Sequence, residues 1–195
     1  MGRSDIMHWL LAFVLFVTLS THAAAAPADA KVGGPHIRPQ DTRITALLQE
    51  GILRSSTLRA LVERIESSNV YVYVGLDRLM KPYLAGRLTW MGQAHEFRYL
   101  RASINFDLSA DQVIATLAHE LQHAVEVIDD QSVVDERSLV ALYRRIGKPS
   151  RMELNSGWET AAAQAKGYQV RRELIAMPSG TTAGAFNEFG ERGKL

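Results

Sequence analysis

The sequence predicts a single α+β domain in which a small antiparallel or mixed sheet packs on helices. The chain has 195 residues, a length that suits one domain with one sizeable core. Hydrophobic residues make up 47% of it and charged residues 22%, as in ordinary globular proteins. Beyond residue 40, segments with helical apolar spacing flank short segments rich in β-branched and aromatic residues.

The first 26 residues have the pattern of a secretory signal peptide. Arg3 precedes an apolar run from Ile6 to Ser20, and the small-residue tract Ala23–Ala26 follows. The run covers roughly 15 residues, whereas a membrane-spanning helix needs about 20. An uncleaved single-pass anchor is the alternative. Both interpretations place the rest of the chain outside the cytoplasm, so we expect a periplasmic or secreted protein without stable membrane association once the leader is cleaved.

Composition excludes several classes of function. Lys and Arg number 22 against 21 Asp and Glu, a net charge of +1, so the basic excess typical of nucleic-acid-binding proteins is missing. The chain has no Cys, which rules out a disulfide scaffold, a thiolate nucleophile and Cys-ligated metal. Any metal must therefore be held by His, Asp or Glu. Nothing in the sequence indicates an oligomeric state.

Turn residues and apolar periodicity divide the rest of the chain. Residues 27–40 contain three Pro and two Gly and are expected to form an extended linker or arm. The domain is predicted over 41–178, with residues 179–195 as a mobile tail. Its expected elements are a helix from Asp41, a helix over 56–67, an interior strand over 70–74, a hairpin with arms 88–91 and 95–106, and helices over 110–128, 132–146 and 151–176. The second arm of the hairpin, which contains Arg98, has only a weak burial pattern.

The predicted helix over 110–128 carries the sharpest motif. Ser109 and Gln112 form a capping box that specifies its start. Within it, His119-Glu120-Leu121-Gln122-His123 has the H-E-x-x-H spacing. Residues four apart lie on one helix face, so both imidazoles point the same way and can bind one metal ion, while Glu120 is placed as a general base.

A helical wheel separates these residues from the core. The apolar residues of the helix fall within an arc of roughly 140°, which is expected to pack on the domain. His119 and His123 fall on a separate arc with Thr116 and Glu120, facing a cleft. The wheel places Asp111, Gln122 and Asp129 on the solvent side.

The stretch from Leu117 to Ala124 resembles the motif helix of the zincin metallopeptidases. The resemblance implies a zincin-like domain with Zn²⁺ as cofactor, His119 and His123 as metal ligands, Glu120 as catalytic base, and a peptide or protein as substrate. In that family a strand at the edge of the cleft precedes the helix, and residues 100–106 hold this place in the sequence. No nucleic acid is expected as a partner.

The third metal ligand defines the subgroup. Metzincins continue the motif with a Gly and a third His, but the chain has Glu126 and Asp129 there and no His after His123. This points to the gluzincin type, with a Glu from a later helix. The stretch Trp158–Ala162 resembles the glutamate helix of small bacterial gluzincin-like proteins, so Glu159 is the predicted ligand. Its alternatives are Glu126, also a candidate for orienting an imidazole, and the weaker Glu136 and Glu153.

The sequence therefore predicts an exported zinc metallopeptidase. Two other hypotheses remain open: a catalytically degenerate, zinc-binding zincin-fold binding module in the periplasm, and a structural helical protein with a surface His pair. Tyr143, Tyr168 and Arg172 are candidates for stabilising the oxyanion of peptide hydrolysis. His95 is a weak metal-site candidate because it has no second His four residues away. His36 lies in the Pro-rich arm and is expected in solvent.

Overall fold

The computed structural model describes residues 34–149 and 157–179. The predicted signal peptide, the first part of the predicted arm, Glu153 and residues 180–195 of the predicted tail lie outside these ranges. The described residues form a mixed α+β fold with five helices and a small mixed sheet, which confirms the predicted class.

The elements follow one another along the chain with short connections. In order they are β1 (Ile37–Pro39), α1 (Thr42–Arg54), α2 (Ser56–Glu66), β2 (Val70–Asp77), β3 (Gly86–Ala94), β4 (Phe97–Asn105), α3 (Ala110–Asp129), α4 (Glu136–Ile146), β5 (Lys148–Pro149), β6 (Trp158–Glu159) and α5 (Ala161–Ala176). Four strands form one sheet in the order β1-β2-β4-β3. β1 and β4 run parallel to β2, and β3 runs antiparallel to β4. β5 and β6 form a separate antiparallel pair.

The predicted hairpin and the interior position of the 70–74 strand are confirmed, but three details of the prediction are wrong. Residues 37–39 of the expected arm form β1, so the domain begins before Asp41. The strand just before α3 is β4, which is paired on both sides and so has no free edge for an extended substrate; the edge strands of this sheet are β1 and β3. The last helix begins at Ala161, and Glu159 lies in β6 before it.

Helix α3 is the centre of the domain. Fourteen of its 20 residues are buried, against the sheet and against helices on its other sides. Gln122, expected in solvent, is only 9% exposed. The helical wheel failed here because elements distant in sequence, α5 above all, cover α3 from directions that a local pattern does not reveal.

Helix α5 is fixed at its C-terminal end by two charged side chains. Arg54, buried at the end of α1, donates to the carbonyl oxygens of Leu174 (3.0 Å) and Met177 (2.7 Å). The Glu173 carboxylate accepts from the Thr57 N–H (3.2 Å) and from the Ser55 hydroxyl (2.5 Å) at the start of α2. These contacts hold α5 in one position along α3.

A buried arginine joins the sheet to the C-terminal end of α3. Arg98 of β4 is 3% exposed and faces the core, whereas its sequence context predicted only a weak burial pattern. Its Nη1 donates to the carbonyl oxygens of Val127 (2.7 Å) and Asp130 (3.0 Å), and its Nη2 donates to Asn69 Oδ1 (2.8 Å). A cation at this position satisfies the last carbonyls of α3 and complements its dipole.

Replacing Arg98 with Met is expected to lower the free energy of unfolding by about 2–4 kcal/mol, because buried acceptors lose a charged donor. Urea denaturation measures the change. Arg101→Met is the matched control: Arg101 lies on the same strand, is exposed, and its side chain has no hydrogen bond or ion pair to the described residues. The control should change stability by less than about 0.5 kcal/mol. Equal losses for both variants would refute the role given to Arg98.

Candidate metal centre

The two histidines of the motif lie side by side on α3. The helix begins as predicted, with the Ser109 N–H donating to Gln112 Oε1 at 2.9 Å. One turn separates His119 from His123, and their ring centroids are 4.9 Å apart with the planes at 78°. His123 is buried and His119 is half-buried. The rigid middle of a packed helix therefore positions both imidazoles.

Glu159 reaches the same point from another element. It pairs with Lys148 in the β5–β6 ribbon, so a strand rather than a helix presents its side chain. Its Oε2 lies 3.3 Å from His119 Nε2. The Gln164 side chain, one turn into α5, also donates a hydrogen bond to this carboxylate. The sequence predicted Glu159 at the start of a helix. It lies on a strand instead, and its carboxylate still reaches the histidines.

The three side chains can hold a metal ion. One potential ligand atom from each of His119, His123 and Glu159 lies within 4.8 Å of the other two. Two ligands bound at about 2.0–2.1 Å with tetrahedral geometry are about 3.3–3.4 Å apart, which matches the separation of His119 and Glu159. Two nitrogens and one carboxylate oxygen are also one of the donor sets found in three-ligand catalytic zinc sites.

The charges of the site favour an ionised carboxylate. Burial disfavours charge on both His119 and Glu159, but their mutual hydrogen bond and attraction outweigh it. As a result the pKa of His119 is raised and the pKa of Glu159 is lowered. A bound cation would replace the proton between them, since metal ligands must be deprotonated.

Glu120 is buried beneath the edge strand β3. It is 3% exposed, and burial raises the pKa of its carboxyl despite the nearby histidines. A Cβ atom placed on Gly86 of β3 would lie 2.7 Å from Glu120 Oε1 and 2.7 Å from Thr116 Cγ2. Glycine at position 86 is therefore what lets β3 pass over this carboxylate. No sequence signal indicated this contact, because it joins elements 34 residues apart.

Helix α5 lies close to His119 at Gly167. A Cβ atom on Gly167 would lie 3.4 Å from the Ala115 carbonyl oxygen and 3.4 Å from His119 Cβ, which is ordinary van der Waals contact. The two helices therefore pack closely at this point, although an added methyl group would still fit.

The other acidic and histidine candidates lie elsewhere or make different contacts. Glu126 is buried, and its carboxylate binds His123 Nδ1 and the Thr160 hydroxyl. Glu136 is exposed at the start of α4, and Glu153 lies outside the described residues. His95 is exposed in the β3–β4 turn, and His36, expected in solvent, is half-buried with its ring centroid 4.2 Å from that of Tyr71.

The three oxyanion candidates differ in their surroundings. Tyr143 is buried with its hydroxyl donating to the His123 carbonyl oxygen at 3.2 Å, and burial raises its pKa well above the usual value. Tyr168 is 67% exposed and follows Gly167 on α5, one turn beyond Gln164. Arg172 is exposed a further turn along. The Tyr143 hydroxyl is thus committed to the backbone of α3, and Tyr168 lies nearer the metal ligands than Arg172 along α5.

Comparison with family models, with curated proteins and with solved structures found no match to this chain. None of the helices in the described ranges combines the length and apolar character that a membrane crossing requires.

The three clustered side chains are expected to be necessary for metal binding. The chain should hold about one zinc ion, and His119→Ala, His123→Ala and Glu159→Ala should each weaken binding by more than the roughly 10–100-fold caused by losing a ligand's hydrogen-bond partner. Metal analysis and chelator competition measure this.

His95→Asn is the control for the metal analysis. It removes an exposed imidazole, and Asn tolerates the positive φ of 53° at that position. It should leave binding unchanged. A wild-type chain without zinc after chelator-free purification would contradict the assignment.

Proposed function

We propose that the chain is an exported zinc metallopeptidase of gluzincin-like zincin type, which hydrolyses peptide bonds in a peptide or protein substrate. The observation that carries this proposal is the convergence of His119, His123 and Glu159 beside Glu120. The export part rests on the leader pattern of residues 1–26.

The donor set suits hydrolytic chemistry. Three protein ligands leave a fourth position of a tetrahedral site open. Zinc bound there would supply a Lewis acid for the scissile carbonyl and lower the pKa of water to about 7. The role of the three side chains is to hold the cation in one place: α3, packed against α5, carries the two histidines, and the β5–β6 pair carries Glu159.

Glu120 supplies the proton transfer in this proposal. Its carboxylate takes a proton from the attacking water and delivers it to the nitrogen of the leaving amine. Glu120 is buried within the electrostatic reach of both histidines, so its carboxylate lies beside a cation held by them. The absence of a side chain on Gly86 leaves room for Glu120 beside β3.

The edge strand offers a surface for an extended substrate. β3 is outermost in the sheet order and carries Gly86 against Glu120. A peptide that added to its free edge would form main-chain hydrogen bonds and pass next to the general base. This proposal assigns to β3 the role that the sequence analysis gave to residues 100–106.

Tyr168 is the candidate for stabilising the oxyanion. Its exposed side chain follows the residue of α5 that touches His119, whereas the Tyr143 hydroxyl is bonded to the main chain. A phenolic O–H that reached the substrate would be a donor for developing negative charge.

Glu120→Gln is expected to reduce peptide hydrolysis by about 10²–10⁴-fold, because the amide cannot accept the proton. Zinc content should be unchanged. The assay uses a library of quenched fluorescent peptides and denatured casein, with zinc measured on the same samples.

Glu136→Gln, which neutralises an exposed carboxylate on α4, is the control and should keep full activity. If the wild-type chain binds zinc but cleaves none of these substrates, the peptidase proposal fails and a zinc-binding module is favoured. Loss of zinc in Glu120→Gln would instead show a structural role for Glu120.

A further inference from the structure

The carboxylate of Glu126 lies between the two elements that carry the proposed ligands. It is buried on α3, three residues beyond His123. Its Oε2 is 2.8 Å from His123 Nδ1, and its Oε1 is 2.5 Å from Thr160 Oγ1. Thr160 directly follows Glu159 in the chain. One side chain therefore contacts a proposed ligand on one side and the neighbour of another ligand on the other.

The directions of these hydrogen bonds follow from the chemistry of the groups. A carboxylate only accepts hydrogen bonds, so a contact between the Glu126 carboxylate and His123 Nδ1 requires the proton on Nδ1. The lone pair is then on Nε2, the atom left to bind a metal. The Thr160 hydroxyl donates its one proton to Glu126 and accepts from the Ala163 N–H at 3.1 Å, so its only donor is committed to Glu126.

The contact with Thr160 extends to the start of α5. Thr160 is the N-cap of that helix and is 3% exposed. The first turn of α5 has no acidic residue, so the Glu126 carboxylate provides negative charge near the positive end of the helix dipole. Position and orientation of the Thr160 backbone also set where Glu159 projects, because the two residues are adjacent.

We propose that Glu126 is the positioning residue of the metal centre: its two oxygens hold His123 and Thr160 at once and so fix an imidazole ligand relative to the strand of Glu159. This inference rests on the proposed function. It gives Glu126 a role different from direct ligation, since both of its oxygens have partners and the metal-compatible group of the described residues does not include it.

The number of acceptors provides the test. Glu126→Gln leaves one acceptor oxygen for two donors, so either His123 or Thr160 loses its acceptor. Thr160→Val removes the hydroxyl that competes for this oxygen, which frees the amide oxygen for His123. The cost of Glu126→Gln should therefore be smaller in a Thr160→Val background than in the wild-type chain.

The measured quantity is zinc affinity of the full chain, by chelator competition. Glu126→Gln should lower it by about 10–100-fold, and in the Thr160→Val background by less than about threefold. The electronic spectrum of the Co²⁺ form should keep a four-coordinate pattern, because no ligand is lost. Thr160→Ser retains the hydroxyl and should keep affinity near wild type. A merely structural role would lower the unfolding temperature of the metal-free chain without this background dependence.

Two results would overturn the proposal. One is an unchanged zinc affinity in Glu126→Gln, and the other is an equal cost of that substitution in both backgrounds. If Glu126→Gln does not fold, zinc affinity is compared between Thr160→Val and Thr160→Ser. A lower affinity in Thr160→Val only supports the bridge that Glu126 forms between His123 and Thr160, and equal affinities contradict it.

Failure of the proposed function has a different signature. Long-range ¹H–¹⁵N NMR of the metal-free chain at alkaline pH reports which His123 nitrogen carries the proton. A proton on Nδ1 in the wild-type chain, lost from that position in Glu126→Gln, supports the bridge even if no zinc binds. A proton on Nε2 in the wild-type chain would refute the bridge even if zinc binds.

Discussion

The burial of α3 is the constraint on which the rest of the structure depends. This helix carries His119, Glu120 and His123, yet most of its residues are inside the protein. Polar groups in such a position must have partners, because an unpaired buried polar group costs about 1–3 kcal/mol. The His119–Glu159 pair and the Glu126 contacts with His123 and Thr160 satisfy this requirement. The arrangement of elements that buries α3 therefore also supplies the partners of its polar side chains.

One glycine and one arginine support this packing. Gly86 lets β3 pass over Glu120. Arg98 binds the last carbonyls of α3 from the sheet. Both residues act at contacts between elements far apart in sequence.

Local signals predicted the parts of the structure that depend on neighbouring residues. The Ser109–Gln112 cap, the His119–His123 spacing and the 88–106 hairpin depend on residues close in sequence, and they appear as expected. Glu159, the predicted third ligand, also lies beside the histidines, although it was expected on a helix and lies on a strand. Glu159 lies in β6 because pairing with Lys148 of β5 competes successfully with helix extension. Such pairing depends on tertiary context.

The features that the sequence did not predict depend on contacts between residues far apart in the chain. β1 was expected to be part of an arm because Pro39 and its neighbours indicate irregular chain, yet parallel pairing with β2 makes it a strand. Arg98 was expected to have a weak burial pattern, and its burial depends on carbonyls at the end of α3. The link from Glu126 to Thr160 spans 34 residues and two elements. No periodicity within one segment contains that information.

The most direct test of this account is a crystal structure of the chain grown with zinc, with anomalous difference maps recorded on both sides of the zinc absorption edge. The account predicts one strong peak at about 2.0–2.1 Å from a nitrogen of His119 and a nitrogen of His123, and at about 2.0–2.2 Å from a Glu159 oxygen. A map without a peak between these three side chains, or with the Glu159 carboxylate turned away from the metal, would contradict it.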